Sequence, residues 1–392
     1  LKDEPWYDVI FEKVINQNFN ATTKIENIVP ISDIVILSLP TPMDENNVPD
    51  YSALLSVGKQ LGQLLSNDTL VIVESTVEPG FIENDLINVI EKSDKKLVAG
   101  KDFAIGVCPE TANPGQIMND FEKLPRLVGA IDEKAKNAIM KIYKHVFTVD
   151  LIPMPNCKTA NAVKLTTNVF RDLNIAFVNE LAILFEKVGI DIMTVLDAAK
   201  TKYNFQVHYP GPGVGGPCLP VNAYQMINLA KNMGFDTLKS VEMGRTINES
   251  MPMHVIDLLS DAFIESKKPL ENSNILVLGI SYKPDVKDIQ ISPAEIIIEK
   301  LKNLKTNVLI YDPYFKSTNV FDLQTESNLI EALQKSDALI LVTAHKEFHN
   351  LDPIFLKSKM KTAIVIDSKC IINQQAAKNS GLVYRGLGRG KI

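Results

Sequence analysis

Asp33-Ile-Val-Ile-Leu-Ser-Leu-Pro-Thr-Pro42 is the stretch from which the fold is read. Ile34–Leu39 is apolar and rich in β-branched residues, and Pro40-Thr-Pro42 stops it. A strand apolar on both faces belongs in a sheet covered on both sides. The same pattern repeats outward. Tyr51–Leu65 has helical spacing; Thr69–Val73 is a second buried strand, followed by the loop Glu74-Ser-Thr-Val-Glu-Pro-Gly80. Phe81–Ser93 reads as a helix and Phe103–Val107 as a third strand, ending at Cys108-Pro-Glu110. Strands alternating with helices predict a parallel sheet, with ligands beyond the carboxyl ends of its strands. Three polar loops, Pro40–Pro42, Glu74–Thr76 and Pro109–Gly115, fall at that edge.

The middle of the chain changes period. Thr159–Val188 is one long helical pattern without Pro or Gly, and Ile192–Ala199, Val221–Met233 and Leu238–Ser260 are further helices. After Lys267-Lys-Pro269 the alternation returns, with strands at Asn274–Leu278, Val308–Tyr311, Ala338–Val342 and Ala363–Ile366 and helices at Pro293–Leu304 and Leu329–Gln334. The fold class is therefore α/β: two doubly wound domains joined by a helical middle domain with a long central helix. The expected boundaries are 1–155, 156–265 and 270–392.

Length and composition agree. At roughly 100–200 residues per domain, 392 residues make two or three. A hydrophobic fraction of 45% with 22% charged residues is that of a globular chain. A net charge of −6 argues against nucleic acid or an anionic membrane as partner. No apolar run reaches the roughly 18 residues of a membrane span. The four cysteines, Cys108, Cys157, Cys218 and Cys370, form no C-x-x-C pair, so no metal site is expected. Reduced thiols point to a cytoplasmic enzyme.

The sharpest local feature is His208-Tyr-Pro-Gly-Pro-Gly-Val-Gly-Gly-Pro-Cys218. So many glycines and prolines make a loop that approaches a ligand closely. The loop delivers Cys218 to the start of a helix, where the dipole and free N–H groups favour a thiolate. The bland alternative is a flexible connector with an incidental cysteine. On the long helix Lys164, Asn168 and Arg171 stand at i, i+4 and i+7, one polar stripe on a helix otherwise apolar nearly all round. That stripe faces either a buried polar cleft or solvent. In Leu278-Gly-Ile-Ser-Tyr-Lys-Pro284 a strand runs into a turn at the ligand edge of the last domain, with Lys283 placed to meet a phosphate.

Six ordered motifs run through nearly the whole chain: Leu39-Pro-Thr-Pro42; Glu74-Ser-Thr-Val77 with Pro79-Gly80; Cys108-Pro-Glu110 with Pro114-Gly115; Lys164 with Asn168; Gly213-Val-Gly-Gly216 with Cys218; and Tyr282-Lys-Pro284. In this order they resemble the nucleotide-sugar 6-dehydrogenases, which act on UDP-glucose, UDP-N-acetylmannosamine and related sugars. Phe170–Phe177 with Asn179-Glu180, and Tyr384–Arg389, look most like the N-acetylmannosamine branch. The resemblance implies an NAD-dependent, two-step oxidation of the sugar 6-hydroxyl to an aldehyde and then a carboxylate. Cys218 would attack the aldehyde, the thiohemiacetal would be oxidised to a thioester, and water would hydrolyse it. Lys164 and Asn168 would stabilise the oxyanion. Thr76 and Glu110 would hold the water, with Glu110 as base. Pro40, Thr41, Thr76, Glu110 and Gln290 would meet NAD. Thr111, Ala112, Lys164, Asn168, Arg171, His208, Gly215, Tyr282 and Lys283 would hold the UDP-sugar. A homodimer or higher oligomer through the long helix, and a role in polysaccharide biosynthesis, are also implied.

Some positions depart from the family pattern. Asn222 stands where the family places Asp four residues after the cysteine, and an amide cannot take a proton. Gln290 replaces an Arg; Thr111-Ala112 replaces Arg-Val; Lys202 and Asn204 replace a His and an Arg before the Gly-rich loop, with His208 at a different spacing. The family's opening strand, G-x-G-x-x-G turn, helix and acidic-ended strand are not in the sequence, which begins at Leu1 rather than Met. The expectation is that an amino-terminal segment lies outside these 392 residues. The leading reading is a UDP-N-acetyl-D-mannosamine dehydrogenase. The alternatives are a UDP-glucose or UDP-N-acetylglucosamine 6-dehydrogenase, and a catalytically impaired homologue that binds UDP-sugars. A 3-hydroxyacid-type dehydrogenase is disfavoured, because it needs neither a nucleophilic cysteine nor a second terminal α/β domain.

Overall fold

Successive side chains of a strand point to opposite faces, and the chain builds two sheets on that rule. The computed structural model describes residues 7–15 and 17–390; Leu1 lies outside them. The chain divides into two units, Leu1–Asn168 with Tyr224–Thr237, and Val169–Ala223 with Leu238–Ile392.

The first unit holds β1 (Ile34–Leu37), β2 (Leu70–Val73), β3 (Ala104–Val107), β4 (Arg126–Ala130) and β5 (Leu151–Pro153), in that spatial order. Val71 and Val73 enter one core with Leu54, Leu61, Phe81 and Ile105. Leu70 and Ile72 enter the opposite core with Val128, Ile139 and Tyr143. Burying one such side chain is worth about 1.5–3 kcal/mol, so each β2 residue helps hold the sheet between its helices. β1, β2 and β3 are parallel, Ile34 opposite Leu70 and Leu70 opposite Ala104. β4, which is not among the strands read from the sequence, runs antiparallel to β3, Gly106 opposite Ala130. The helix after β3, Ile117–Lys123, has only 7 residues and rises roughly 10 Å. The chain thus re-enters the sheet at the carboxyl edge of β3 and runs back.

β1 differs from its neighbours. Val35 and Leu37 pack into the core, but Ile34 and Ile36 are 39% and 51% exposed. The helix Glu133–Val146 covers that face over β3, β4 and β5 and does not extend to β1.

The second unit holds β6 (Asn274–Leu278), β7 (Asn307–Tyr311), a small antiparallel hairpin of β8 (Asn319–Val320) and β9 (Leu323–Gln324), then β10 (Ala338–Leu341), β11 (Ile364–Asp367) and β12 (Val383–Gly386). Its main sheet has the order β12-β11-β10-β6-β7 and is parallel throughout. Ile275 and Val277 join one core with Ala182, Leu196, Leu259 and Ile297; Leu276 and Leu278 join the other with Leu333 and Phe348.

The expected helices are present with small shifts. The long helix spans Cys157–Val188, and Ile192–Ala199 falls where it is read, opened by Asp191, whose carboxylate accepts the Met193 N–H. Leu219–Asn232 follows the Gly-rich loop, and Lys239–Glu265 runs five residues past the expected end at Ser260. The long helix and Leu219–Asn232 each continue from one unit into the other.

Candidate active site

In the first unit the loops leaving β1, β2 and β3 are tied to one another by side chains. The Ser75 hydroxyl accepts the Leu39 N–H at 2.7 Å and donates to the Leu39 carbonyl at 2.8 Å. The Thr41 hydroxyl donates to the Thr76 carbonyl at 2.9 Å, and Gln225 Nε2 donates to the same oxygen at 3.2 Å. Thr41 and Thr76 are half-buried, and Pro40 is exposed beside them.

Glu110 is anchored at both ends of its carboxylate. Oε1 accepts the N–H groups of Thr111 and Ala112, each at 2.6 Å, and Oε2 accepts from Arg126 at 3.3 Å. Arg126 is 2% exposed and stands 3.8 Å from Glu74 as well. Its guanidinium lies 4.3 Å from the Phe147 ring centre, with Phe121 and Tyr143 at 5.5 and 5.6 Å. A buried guanidinium needs paired charge, and the two carboxylates supply it while the aromatic rings stack around the group. Tyr143 donates its hydroxyl to Glu74. Burial pushes the neighbouring Cys108 thiol up to about 11, against the pull of Arg126. Lys164 is buried and Asn168 half-buried, one turn apart on the long helix.

In the second unit the Gly-rich loop is held at several points. Asn179 Oδ1 accepts the Gly211 N–H at 2.9 Å, while Asn179 Nδ2 donates to Asn248 at 2.9 Å. Asn248 in turn donates to the Asp172 carboxylate, which also accepts from Arg245 at 2.8 Å. All four of these side chains are buried. Gly216 donates its N–H to the Gln290 carbonyl at 3.0 Å. A Cβ at Gly216 would stand 2.6 Å from the Tyr282 ring, and one at Gly215 would stand 2.3 Å from the Ile291 carbonyl oxygen. With φ of +87° at Gly216, only glycine fits there without strain.

Cys218 is exposed, and its carbonyl accepts the Asn222 N–H at 2.9 Å, opening the helix Leu219–Asn232. Burial pushes the Tyr282 hydroxyl up, Asp288 and Cys218 add to the shift, and Arg171 opposes it; Arg171 and Cys218 therefore both act on the Tyr282 hydroxyl. Arg171 itself is exposed and Lys283 half-buried. The His208 ring meets Phe170 edge-on at 6.3 Å. The Gln290 side chain donates to Asp288 at 3.2 Å, so it belongs to the second unit, whereas Pro40, Thr41, Thr76 and Glu110 lie in the first.

Sequence reasoning missed several groups at these edges. Arg126 lies on β4, a strand too short and too polar at its start to stand out. Lys369 follows β11, and a Cβ at Gly211 would come within 2.6 Å of its amine; burial holds that ammonium below the usual lysine range. Asp312 and His345, both wholly buried, pair behind the Tyr282 turn at 3.0 Å. Among the described residues no group of three His, Cys, Asp or Glu could hold a metal ion, and no helix is long and apolar enough to cross a membrane.

Each unit holds a doubly wound sheet, the second also an exposed cysteine after a Gly-rich loop, and three family models match the chain in order. Residues 3–147 match the NAD binding domain of the UDP-glucose/GDP-mannose dehydrogenase family, residues 158–250 its central domain and residues 276–374 its UDP binding domain. The chain belongs to this family. It is an NAD-dependent oxidoreductase of the UDP-sugar dehydrogenase type. Among the relatives of this dehydrogenase, the UDP-N-acetyl-D-mannosamine dehydrogenase of Pyrococcus horikoshii is 31% identical, covering 99% of this chain and 89% of the relative. The UDP-N-acetyl-D-glucosamine 6-dehydrogenase of Pseudomonas aeruginosa is 31% identical over 81% of this chain and 75% of its own. The solved structure of the Pyrococcus horikoshii enzyme superposes with a TM-score of 0.90 over 99% of this chain and 89% of that one. An NDP-N-acetyl-D-galactosaminuronic acid dehydrogenase of Methanosarcina mazei, 29% identical, superposes at 0.86 over 98% and 84%.

The residues present fit NAD at the carboxyl edge of the first sheet. Thr41, Thr76 and Glu110 leave adjacent parallel strands there, and their own hydrogen bonds hold the three loops in place.

Proposed function

We propose that this dehydrogenase oxidises the 6-hydroxyl of a UDP-sugar to a carboxylate, with UDP-N-acetyl-D-mannosamine as its substrate. The exposed Cys218, delivered by an anchored Gly-rich loop to a helix start near Tyr282 and Arg171, carries the reading. The names of the relatives in mannosamine chemistry support the choice of sugar. UDP-N-acetylglucosamine and UDP-glucose are the alternatives to be scored against it.

NAD supplies the hydride acceptor for both oxidations, and Pro40, Thr41, Thr76 and Glu110 would hold it, with Gln290 as a further candidate. Cys218 Sγ adds to the C6 aldehyde, and the resulting thiohemiacetal, once oxidised, is a thioester. Lys164 and Asn168 donate hydrogen bonds to the oxygen that gains charge at each stage. Glu110, with Thr76, orients the water that releases the acid and accepts its proton. Arg171, Tyr282 and Lys283 bind the nucleotide-sugar, a ligand whose diphosphate suits cations. Thr111, Ala112, His208 and Gly215 line the sugar.

Residues 1–155 would serve the cofactor, 156–265 the chemistry and subunit pairing, and 270–392 the nucleotide. Phe170, Phe177, Leu184 and Val188 leave 50–59% of their surface exposed at heptad-like spacing on the long helix, which supports a homodimer. The free cysteines support a cytoplasmic enzyme of polysaccharide biosynthesis. A second reading, a UDP-sugar-binding homologue without turnover, draws on Asn222 and on Gln290 turned to Asp288.

The test is nicotinamide reduction followed by absorbance across a panel of UDP-sugars. The expected result is two reduced cofactors per UDP-N-acetylmannosamine consumed. Binding of UDP-sugars by calorimetry without reduction of NAD selects the second reading, and a preference for another sugar moves the substrate assignment to it.

A further inference from the structure

The turn Ser281–Asp285 carries Tyr282 and Lys283, and a buried pair outside the catalytic set ties down both of its ends. At the start of the turn, Asp312 Oδ2 accepts the N–H groups of Ile280 at 2.8 Å and Ser281 at 3.3 Å. The same oxygen accepts from His345 Nε2 at 3.0 Å. At the end of the turn, Asp285 donates its N–H to His345 Nδ1 at 3.0 Å. The imidazole is thereby set: Nδ1 receives a proton donor and is bare, while Nε2 carries the hydrogen. Both Asp312 and His345 are 0% exposed, with Tyr314 and Phe348 against the ring at 5.1 and 5.5 Å.

Asp285 explains why the turn needs this hold. Its φ is +60°, in the left-handed region that a residue with a side chain holds only with local hydrogen bonds. It keeps that conformation with its N–H on His345 and its carboxylate accepting the Lys346 N–H at 3.0 Å. Thr343 donates to the Ser281 carbonyl, and Tyr282 donates its N–H to the Asp288 carbonyl at 3.0 Å, closing the turn on itself.

We propose that His345 is a positioning residue for UDP-sugar recognition: by bridging Asp312 and the Asp285 amide it holds the Ser281–Asp285 turn in the shape that presents Tyr282 and Lys283. This inference rests on the reading of that turn as part of the UDP-sugar site.

Two substitutions divide the bridge. In His345→Gln an amide reaches the Nε2 position and keeps the bond to Asp312, leaving the Asp285 N–H without its acceptor. In His345→Asn an oxygen stands near Nδ1 for Asp285, and the bond to Asp312 is lost. With the full chain and UDP itself as probe, calorimetry should show the dissociation constant rising about tenfold in either variant, as loss of one buried hydrogen bond predicts. KM for the UDP-sugar should rise in parallel, with kcat within about twofold and KM for NAD unchanged. Unchanged UDP affinity, or a fall in kcat with both KM values intact, overturns the positioning role. If the unsubstituted chain does not bind UDP, the site reading and the inference fall together. Hydrogen exchange on the unsubstituted chain needs no variant to fold: residues 281–287 should be protected before UDP is added and more so after. Exchange of a free loop in that segment overturns the inference even where UDP binds.

Discussion

The two doubly wound sheets organise their ligand edges with buried groups of different kinds. In the first unit a cation, Arg126, sits between Glu74 and Glu110 inside an aromatic cage. In the second, buried carboxylates gather backbone amides: Asp312 takes those of Ile280, Ser281 and Tyr314, and Asp367 those of Lys369 and Ile372. The consequence is chemical. A buried cation holds acidic side chains at the first edge, where the proposed mechanism needs a carboxylate beside water. Buried carboxyl groups hold turns that carry Lys283 and Lys369 at the second edge, where the proposed ligand is a diphosphate; Asp312 is held below the usual carboxylate range, while burial pushes Asp367 up. One architecture thus organises its two edges with different buried groups, a guanidinium in one and carboxyls in the other.

Removing the proposed nucleophile should have the largest effect and should separate the two edges functionally. Cys218→Ser is expected to lower acid formation by about a thousandfold or more while UDP affinity stays within about twofold. Acid formation at the wild-type rate removes the role given to Cys218. Next comes the organising cation. Arg126→Met removes the cation between Glu74 and Glu110, which keep their other donors and are part-exposed, and should cost about 2–3 kcal/mol in urea unfolding, with Arg126→Lys recovering part of it. A loss below about 1 kcal/mol for the methionine variant breaks the comparison drawn above.

Smaller effects sharpen the second edge. Gly216→Ala drives a Cβ into the Tyr282 ring and should cost about 1–3 kcal/mol and weaken UDP binding. Gly189→Ala, at φ +74° with nothing near its Cβ, should cost about 1 kcal/mol and leave binding alone. Equal costs would show that backbone strain, and not the approach to Tyr282, demands glycine at 216. The smallest effect is one of pH. Burial pushes the Asp312 carboxyl up, but the His345 and backbone hydrogen bonds outweigh it and hold the carboxyl below the usual carboxylate range. Its contribution is therefore present above an unfolded-state value of about 4 and is lost as pH falls through the lower folded-state value. Urea midpoints measured from pH 5 down to pH 2 should fall less steeply in Asp312→Asn than in the unsubstituted chain. Parallel slopes would remove Asp312 from the acid response.

How much of this was legible in the sequence follows from the range of each signal. Asn274–Leu278 and Ile192–Ala199 form where their local patterns put them, because runs of apolar residues and a 3.6-residue period are local. Arg126-Leu-Val-Gly-Ala130 does not stand out, since an Arg and a Gly in five residues do not read as a buried strand. It becomes one only because Phe121, Tyr143, Phe147 and two carboxylates enclose the guanidinium. His345 is one of five histidines and lies 33 residues from Asp312, so no spacing rule links them. The stripe Lys164, Asn168, Arg171 was visible as a helix face. The buried partners along the same helix, Asp172 and Asn179, took their meaning only from Arg245, Asn248 and Gly211.

By itself the sequence determined the succession of strands and helices, the loops at the strand ends, and the Gly-rich stretch that brings Cys218 to a helix start, all of them consequences of residue types within a few positions of one another. Tertiary structure alone decided the direction of β4, the pairing of Arg126 with Glu110, the closeness of Tyr282 that leaves no room for a side chain at Gly216, and the clamp of Asp312 and His345. Each of these depends on which distant groups are desolvated together, and burial is a property of the folded chain, not of any segment of it.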